Sequence, residues 1–307
     1  MDHHHDHHSH EPTSFNASFA IAIFLMLSYT LIEIYFGFSA HSVSLLADAV
    51  HNFGDGLGLI LAWFANWLLS LSPRKRYSYG FKRMSIISAL INAFILVITS
   101  TVIAFEAILR LFHLTPINET TVISIAILGI LVNGGSSLLF KKGAESDLNI
   151  QSAFLHLLAD ACILLGVVIS AIIIHYTTWL WLDPIVGLII VGIILWGTWG
   201  LLQNSLRLIM DAVPHYIDYA DVKTYLSQLS GVTTVHDLHI WGLSTREVAL
   251  TAHLVMPKHP LTDDDHQMIN KTLKDKFKIQ HATIQVETGN TNDPCVRKEI
   301  CTTFWKH

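Results

Sequence analysis

Two short motifs of the form His-x-x-x-Asp place metal-ligating side chains inside strongly apolar sequence. One is His51 with Asp55, and the other is His156 with Asp160. A spacing of four residues stacks two side chains on one face of a helix. Two imidazoles and two carboxylates match the number and type of ligands in a tetrahedral divalent site, where zinc is the usual ion. Together the two motifs predict one metal site shared by two helices.

The surroundings of the motifs strengthen this prediction. Both pairs fall near the middle of long hydrophobic stretches, where an unpaired Asp costs about 3 kcal/mol. Interhelical hydrogen bonding is the alternative for either pair alone. Two identical pairs with no Lys or Arg nearby favour the metal, because a bound dication neutralises both carboxylates. Asp48 lies on the same helical stripe as Asp55, and it either orients the free ring nitrogen of His51 or serves in helix packing.

The composition of the chain is that of a membrane protein with a polar C-terminal part. Of its 307 residues, 51% are hydrophobic and only 14% are charged, against about 25% charged in soluble domains. This excludes a secreted disulfide scaffold and a disordered chain, and the net charge of −5 argues against a nucleic-acid partner. Six hydrophobic stretches approach the ~20 residues that a membrane-spanning helix needs. The predicted spans are residues 15–38, 42–71, 84–112, 120–140, 152–176 and 182–206.

Basic residues are unevenly distributed between the short loops. The loop after span two holds five Lys or Arg and the loop after span four holds two, whereas the opposite side has Arg110 alone. Because Lys and Arg accumulate on the cytosolic side of a membrane, we expect both termini in the cytosol. Glu106, four residues before Arg110, is expected to pair with it.

From residue 211 the sequence changes to short alternating elements. A helix is predicted at 219–229, strands at 232–241 and 247–256, a helix at 263–277 capped by Thr262, and a strand at 282–287. The order α-β-β-α-β predicts a small α+β domain. His236 and His239 are three residues apart on a predicted strand, so we expect them on opposite faces.

Three segments resemble the cation diffusion facilitator family of six-span metal exporters. They are SVSLLADAVHNFGD at residues 42–55, HLLAD at 156–160 and HDLHIW at 236–241, and the resemblance covers nearly the whole chain. It implies a six-helix transmembrane bundle at residues 15–210, a ferredoxin-like αββαβ cytosolic domain at 211–290, and a homodimer in the lipid bilayer. Residues 1–14 and 291–307 are then terminal tails.

The resemblance also implies export of Zn²⁺ from the cytosol in exchange for protons, rather than catalysis. His51, Asp55, His156 and Asp160 correspond to the transport ligands of the family. Members with His and Asp on both spans are mostly zinc-selective, whereas all-acidic or Asn-containing versions lean toward iron or manganese. The sequence has no long His-rich loop between spans four and five, which is typical of a bacterial member in the inner membrane.

The family comparison also implies a regulatory zinc site in the cytosolic domain. His236, His253 and Glu287 match its ligands, while a further ligand His is replaced by Gln285. The loop at 72–83 lacks the His and Asp with which some relatives bind a metal there, so no metal is expected in it. Its basic residues either face lipid headgroups or meet Asp211, where the family often has a charge interlock.

Both ends of the chain carry additional metal-binding side chains. The sequence begins MDHHHDHHSH, and His3, His4 and His5 belong to a candidate metal-capturing tail for which an expression tag is the alternative. Cys295 and Cys301 are candidates to capture zinc, alone or with that tail. Three cysteines in all provide no disulfide framework.

Two other classes of function remain open. An intramembrane metalloenzyme needs a free coordination position, and four protein ligands leave none. A membrane metal sensor would bind the same ion without moving it. Within transport, Cd²⁺, Co²⁺ and Ni²⁺ are alternatives to Zn²⁺, because imidazole and carboxylate ligands accept these ions too.

Overall fold

A computed structural model describes residues 17–141, 148–258 and 261–289 of the chain. Its first part consists of six long helices, and each coincides with one of the six predicted spans. Their long apolar runs contain no Pro apart from the one near the start of the sixth, where it is tolerated. The helices are α1 (Ala17–Ser39), α2 (Val43–Leu69), α3 (Met84–Phe112), α4 (Glu119–Phe140), α5 (Leu148–Thr177) and α6 (Leu182–Ile209).

Four helical segments of the described residues are long and apolar enough to cross a membrane by length and composition. They lie at Met84–Phe112, Glu119–Leu138, Phe154–Thr177 and Leu182–Ile209. In α1, the segment Phe24–Ser39 is a shorter apolar helix. Helix α2 contains the polar side chains of the first His-x-x-x-Asp motif, which lower its mean hydropathy.

The start of α2 is fixed to α6 by one buried carboxylate. Asp183 Oδ2 accepts a hydrogen bond from the backbone N–H of Val43 at 2.6 Å, and Asp183 Oδ1 accepts the hydroxyls of Ser42 and Ser44, each at 2.6 Å. The first N–H groups of a helix have no partner within it. Asp183 therefore satisfies them from a neighbouring helix, and it is fully buried in doing so.

The chain divides into two units. One comprises Met1–Leu59 and Phe94–Thr198, and the other comprises Ile60–Ala93 and Trp199–His307. The first unit has an apolar core in which Tyr29, Leu45 and Leu164 are among the largest fully buried side chains. The ends of α2, α3 and α6 belong to the second unit, together with the C-terminal α+β elements.

The C-terminal elements follow the predicted order of helix, two strands, helix and strand. They are α7 (Tyr219–Ser227), β1 (Thr234–Gly242), β2 (Val248–Val255), α8 (Asp263–Phe277) and β3 (His281–Glu287). The sheet order is β1-β2-β3, with β1 antiparallel and β3 parallel to β2. The parallel pairing follows from the crossover through α8, since parallel strands need such a connection.

The predicted cap of α8 is confirmed. The Thr262 hydroxyl accepts the backbone N–H of Asp265, and the Asp265 carboxylate accepts the backbone N–H of Thr262, which completes a capping box. Buried Ile269, Leu273 and Phe277 face the sheet side of the domain core. The sequence therefore determines both the residue at which α8 begins and the face of α8 that packs into the core.

The expectation that His236 and His239 lie on opposite faces of a regular strand is wrong. His236 pairs with His253, and His239 pairs with Thr251, so three steps along β1 match two along β2. This is a β-bulge, and Asp237 within it has a positive φ of 49°. Since residues two apart on β2 share a face, the bulge returns both histidines to the same face of the sheet.

Candidate metal centres

Helices α2 and α5 bring the four side chains of the two His-x-x-x-Asp motifs together. His51 Nε2 lies 3.7 Å from Asp55 Oδ2 within α2, and His156 Nε2 lies 3.7 Å from Asp160 Oδ2 within α5. The same one-turn stacking occurs on both helices because the spacing of four residues is the same.

Contacts between the two helices are as close as those within them. His156 Nε2 lies 2.8 Å from Asp55 Oδ2, and His51 Nε2 lies 3.5 Å from Asp160 Oδ1. The ring centroids of the two histidines are 5.7 Å apart with planes at 82°. Each Nε2 therefore contacts the carboxylate of its own helix and that of the other.

The spacing of the donor atoms fits a small dication. Zinc bonds of 2.0–2.2 Å place neighbouring ligand atoms about 3.3 Å apart in a tetrahedron. Three of the four contacts between a histidine and a carboxylate are 3.5–3.7 Å and one is 2.8 Å, close to that spacing. The group whose donor atoms all lie within 4.8 Å of one another consists of His51, His156 and Asp160. Asp55 is not in this group and joins it through its contacts with the two histidines.

The four side chains differ in burial. His156 is 45% exposed, Asp55 25%, His51 19% and Asp160 only 3%. The centre is therefore open on the side of His156 and closed behind Asp160.

Glycines on both sides of Asp55 let α2 approach its neighbours closely. A Cβ on Gly54 would lie 2.1 Å from Leu96 Cδ2 of α3, and one on Gly56 would lie 2.3 Å from Leu27 Cδ2 of α1. A larger residue at either position would require the facing leucine side chain to move.

The hydrogen bond expected between Asp48 and the free ring nitrogen of His51 is not formed. His51 Nδ1 has no hydrogen-bond partner among the described residues. Asp48 instead accepts a hydrogen bond from Asn52 Nδ2 at 3.0 Å, and the same amide donates to Glu33 of α1 at 3.1 Å. Asn52 lies one turn after Asp48 on the same helix face, because residues i and i+4 are neighbours on a helix. Asp48 therefore bonds to the Asn52 amide and not to His51. Sequence reasoning missed the Glu33–Asp48 pairing.

A second cluster of metal-ligating groups lies in the cytosolic domain. Glu287 Oε2 is 3.0 Å from His236 Nε2, and Glu287 Oε1 is 2.8 Å from His253 Nδ1. The register explains this, because His236 pairs with His253 and β3 runs beside β2. Burial works to raise the pKa of Glu287, but the two histidines outweigh it and hold this pKa below its ordinary value.

The bulge adds Asp237 to the edge of this second cluster. Its Oδ2 lies 3.6 Å from His253 Nε2, and its Oδ1 lies 3.1 Å from His239 Nε2. Gln285 donates a hydrogen bond to Glu287 at 3.3 Å. Among the described residues, donor atoms of His236, His253 and Glu287 all lie within 4.8 Å of one another, which makes these three side chains a candidate metal site.

Two family profiles together match most of the chain. The family profile of the cation efflux transmembrane domain matches residues 19–210, and that of the cation efflux protein cytoplasmic domain matches residues 214–289. The first of these alone spans more than half of the sequence. The chain belongs to the cation efflux family. The resemblance to the cation diffusion facilitators is thereby confirmed, and the chain is an integral membrane protein of a divalent-cation efflux family.

Several curated relatives of the cation efflux family are similar over nearly their full length. The metal cation efflux system protein CzcD of Cupriavidus metallidurans is 33% identical, covering 97% of this chain and 93% of the relative. The zinc transporter ZitB of Escherichia coli is 33% identical, with 96% and 95% covered. The cadmium, cobalt and zinc/H⁺-K⁺ antiporter of Bacillus subtilis is 29% identical, with 93% of each chain covered.

The loop between α2 and α3 of this cation efflux protein makes polar contacts within the second unit. Arg83 donates a hydrogen bond to Asp211 at 2.6 Å. This confirms the expectation that a basic residue of the loop meets Asp211. Lys82 pairs with Glu247, and His281 Nε2 lies 3.0 Å from the same carboxylate oxygen. Burial works to raise the pKa of Glu247, but Lys82 and His281 together lower it.

The remaining predicted residues fall in two groups. The expected pair of Glu106 and Arg110 is confirmed at 2.8 Å. The terminal candidates lie outside the described residues, namely His3, His4, His5, Cys295 and Cys301.

Proposed function

We propose that this chain exports Zn²⁺ from the cytosol in exchange for protons, through a site formed by His51, Asp55, His156 and Asp160. The observation that carries the proposal is the convergence of both Nε2 atoms on both carboxylates, across two helices of the membrane part. A set of two nitrogen and two oxygen donors suits tetrahedral zinc.

Charge balance supports exchange of protons for the metal. Without a metal, the two carboxylates and two neutral imidazoles together carry two negative charges. Either one dication or about two protons neutralise these charges. Metal and protons compete for the same atoms, because zinc binds only deprotonated ligands. Exchange of one for the other therefore keeps the buried charge small at each step, as burial in a membrane requires.

The proposed outward direction of transport is that of the efflux family, and the proposed topology says which side of the membrane each helix end faces. With the basic loops in the cytosol, both termini are cytosolic and α2 begins at the outer surface. Zinc then enters the site from the cytosol, the helices rearrange around it, and protons from outside release it. We place the protein in a bacterial inner membrane, consistent with the bacterial relatives described above.

Transport by reconstituted protein tests the proposal. Proteoliposomes with an imposed pH gradient should accumulate zinc, and Asp55→Ala and Asp160→Ala should abolish the flux. His175→Ala is a matched control, because His175 is an exposed residue in the last turn of the same helix as His156. Near-normal zinc flux in either Asp variant would refute the site.

A broader divalent exporter is the second candidate. It is favoured by the relative from Bacillus subtilis, whose name includes cadmium and cobalt, and by ligands that accept Cd²⁺, Co²⁺ and Ni²⁺. The same vesicles loaded with each metal distinguish the candidates. Binding without flux would instead identify a metal sensor, and the four converging groups argue against an enzyme that needs an open position.

The cytosolic domain is proposed to dimerise the chain and to regulate it through zinc. His236, His253 and Glu287 supply three donor groups, with Asp237 beside His253 as a replacement for the ligand lost at Gln285. The tails at 1–14 and 291–307 are proposed to capture metal for the transport domain at 15–210. Isothermal titration calorimetry of the full-length protein tests the regulatory site. The Glu287→Ala variant should lack one class of zinc-binding sites that the wild type has.

A further inference from the structure

A cluster of polar side chains is fully buried between α1 and α2, beside the proposed transport site. Tyr29 donates a hydrogen bond to Glu33 Oε1 at 2.9 Å. Asn52 donates to Glu33 Oε2 and to Asp48 Oδ2 at 3.1 and 3.0 Å. Glu33 and Asp48 both have 0% exposure, and Asn52 has 1%. The amide of Asn52 thus joins two carboxyl groups from different helices.

The two carboxyl groups lack a cation of their own. Among the described residues, neither Glu33 nor Asp48 forms an ion pair with Lys, Arg or His, and the amide of Asn52 is within hydrogen-bonding distance of both carboxyl groups. Two carboxylates sharing one buried site cannot both stay ionised, because like charges repel strongly where water is excluded. One added proton removes this repulsion.

We propose that Glu33 and Asp48 share a single proton, which the pair releases when a dication enters the site of His51, Asp55, His156 and Asp160 and regains when the ion leaves. The inference rests on the proposed exchange of zinc for protons. It adds a proton-binding site that is separate from the metal ligands. On release the carboxyl O–H bond breaks, the oxygen keeps the electron pair, and the proton passes to water on the cytosolic side.

Electrostatic interactions connect the pair to the metal centre without a shared ligand. Among the described residues, the titratable groups that act on it are Tyr29 of α1, His51 of α2 and Asp160 of α5. From α4, the backbone carbonyl of Ile125 lies 3.4 Å from the Tyr29 hydroxyl. Asp160 is a proposed ligand, so a dication bound there replaces a nearby negative charge by a positive one. Positive charge lowers proton affinity, and metal entry therefore expels the proton.

The burial of the pair makes it selective for protons. Asp48 Oδ1 receives no N–H or hydroxyl donor from the described residues, so one oxygen is free for the shared proton. Asp48 lies about 8 Å along α2 from its first residue, between that end and the metal ligands. A metal ion with its water shell does not fit where neither carboxyl is exposed, whereas a proton reaches it by hydrogen-bond exchange.

Proton release on zinc binding tests the inference. The full-length protein in lipid nanodiscs is titrated with zinc in weakly buffered solution, while protons and bound zinc are counted together. Glu33→Gln and Asp48→Asn should each release about one proton fewer per zinc than the wild type, and the pH dependence of zinc affinity should become correspondingly shallower. Glu106→Gln is the matched control, since it removes a membrane-helix carboxylate that is paired with Arg110.

Infrared spectroscopy provides a second measurement on the wild type, which does not depend on folding of a variant. A C=O stretching band of a protonated carboxyl group should be present without zinc, shift in D₂O and disappear on zinc addition. Unchanged proton release in both variants, an equal loss in Glu106→Gln, or a band that persists with zinc would overturn the inference. Absence of any zinc-linked proton release in the wild type would instead contradict the proposed function itself.

Discussion

His156 Nε2 lies 2.8 Å from Asp55 Oδ2, which joins a histidine of α5 to a carboxylate of α2. This is the shortest contact of the proposed transport site, and neither residue is near the other in sequence. Each helix alone offers one imidazole and one carboxylate, which is too few ligands to dehydrate a dication. The site therefore exists only while the two helices stay in register.

The first prediction concerns this contact. Asp55→Asn keeps the shape of the side chain but removes its charge, so zinc affinity should fall by at least about 100-fold, beyond the usual cost of losing an outer partner. Isothermal titration calorimetry of the purified protein measures the change. Cys162→Ser, an exposed position on α5, should leave the affinity unchanged, and an equal loss in both variants would argue against a ligand role.

The second prediction concerns metal selectivity. His51→Asp replaces an imidazole by a carboxylate, and oxygen-rich sites favour Mn²⁺ over Zn²⁺ more than nitrogen sites do. The ratio of manganese to zinc transport should therefore rise several-fold. Vesicle flux with both metals measures it, with His175→Asp as the control for the same change elsewhere on a membrane helix. An unaltered ratio in His51→Asp would remove His51 from the ligand set.

The third prediction concerns the carboxylate that holds α2 to α6. Asp183→Ala leaves the N–H of Val43 and two serine hydroxyls without their partner, so we expect a loss of about 2 kcal/mol or more in stability. Asp218→Ala removes the exposed N-cap of α7 and should cost about 1 kcal/mol. Thermal unfolding in detergent compares the two, and a smaller effect at Asp183 would contradict the structural role.

The fourth prediction concerns pH. The pKa of Glu247 is lowered in the folded protein, so its contacts stabilise the fold above the unfolded pKa of about 4.3. That contribution is lost as the pH falls through the lower folded pKa. The stability difference between wild type and Glu247→Gln should be below about 1 kcal/mol at neutral pH, because the group is partly exposed, and should shrink in acid.

Denaturation of both proteins across this pH range measures the effect. Lys82→Met is the complementary variant, since it removes the main cation next to Glu247. A stability difference between wild type and Glu247→Gln that grows as the pH falls would have the wrong sign. It would show that Lys82 and His281 do not stabilise the ionised Glu247 side chain.

The sequence predicts those features that depend on local spacing. The i,i+4 spacing of His51 and Asp55 defines one helix face, and Thr262 with Asp265 defines the start of α8. The bulge at Asp237 is different, because nothing in HDLHIW specifies one extra residue opposite β2. The joining of Glu33 to Asp48 also depends on how α1 packs against α2. Such contacts arise from tertiary packing, which local periodicity does not encode.

The graded exposure from His156 through Asp55 and His51 to Asp160 has a kinetic consequence. In the proposed transport site, a hydrated cation that moves inward would lose its water molecules one at a time, since each successive ligand would replace one of them before the next is lost. No step then requires a bare ion in a hydrocarbon environment. The order of burial thus provides a stepwise route for dehydration, and its reverse provides a route for rehydration.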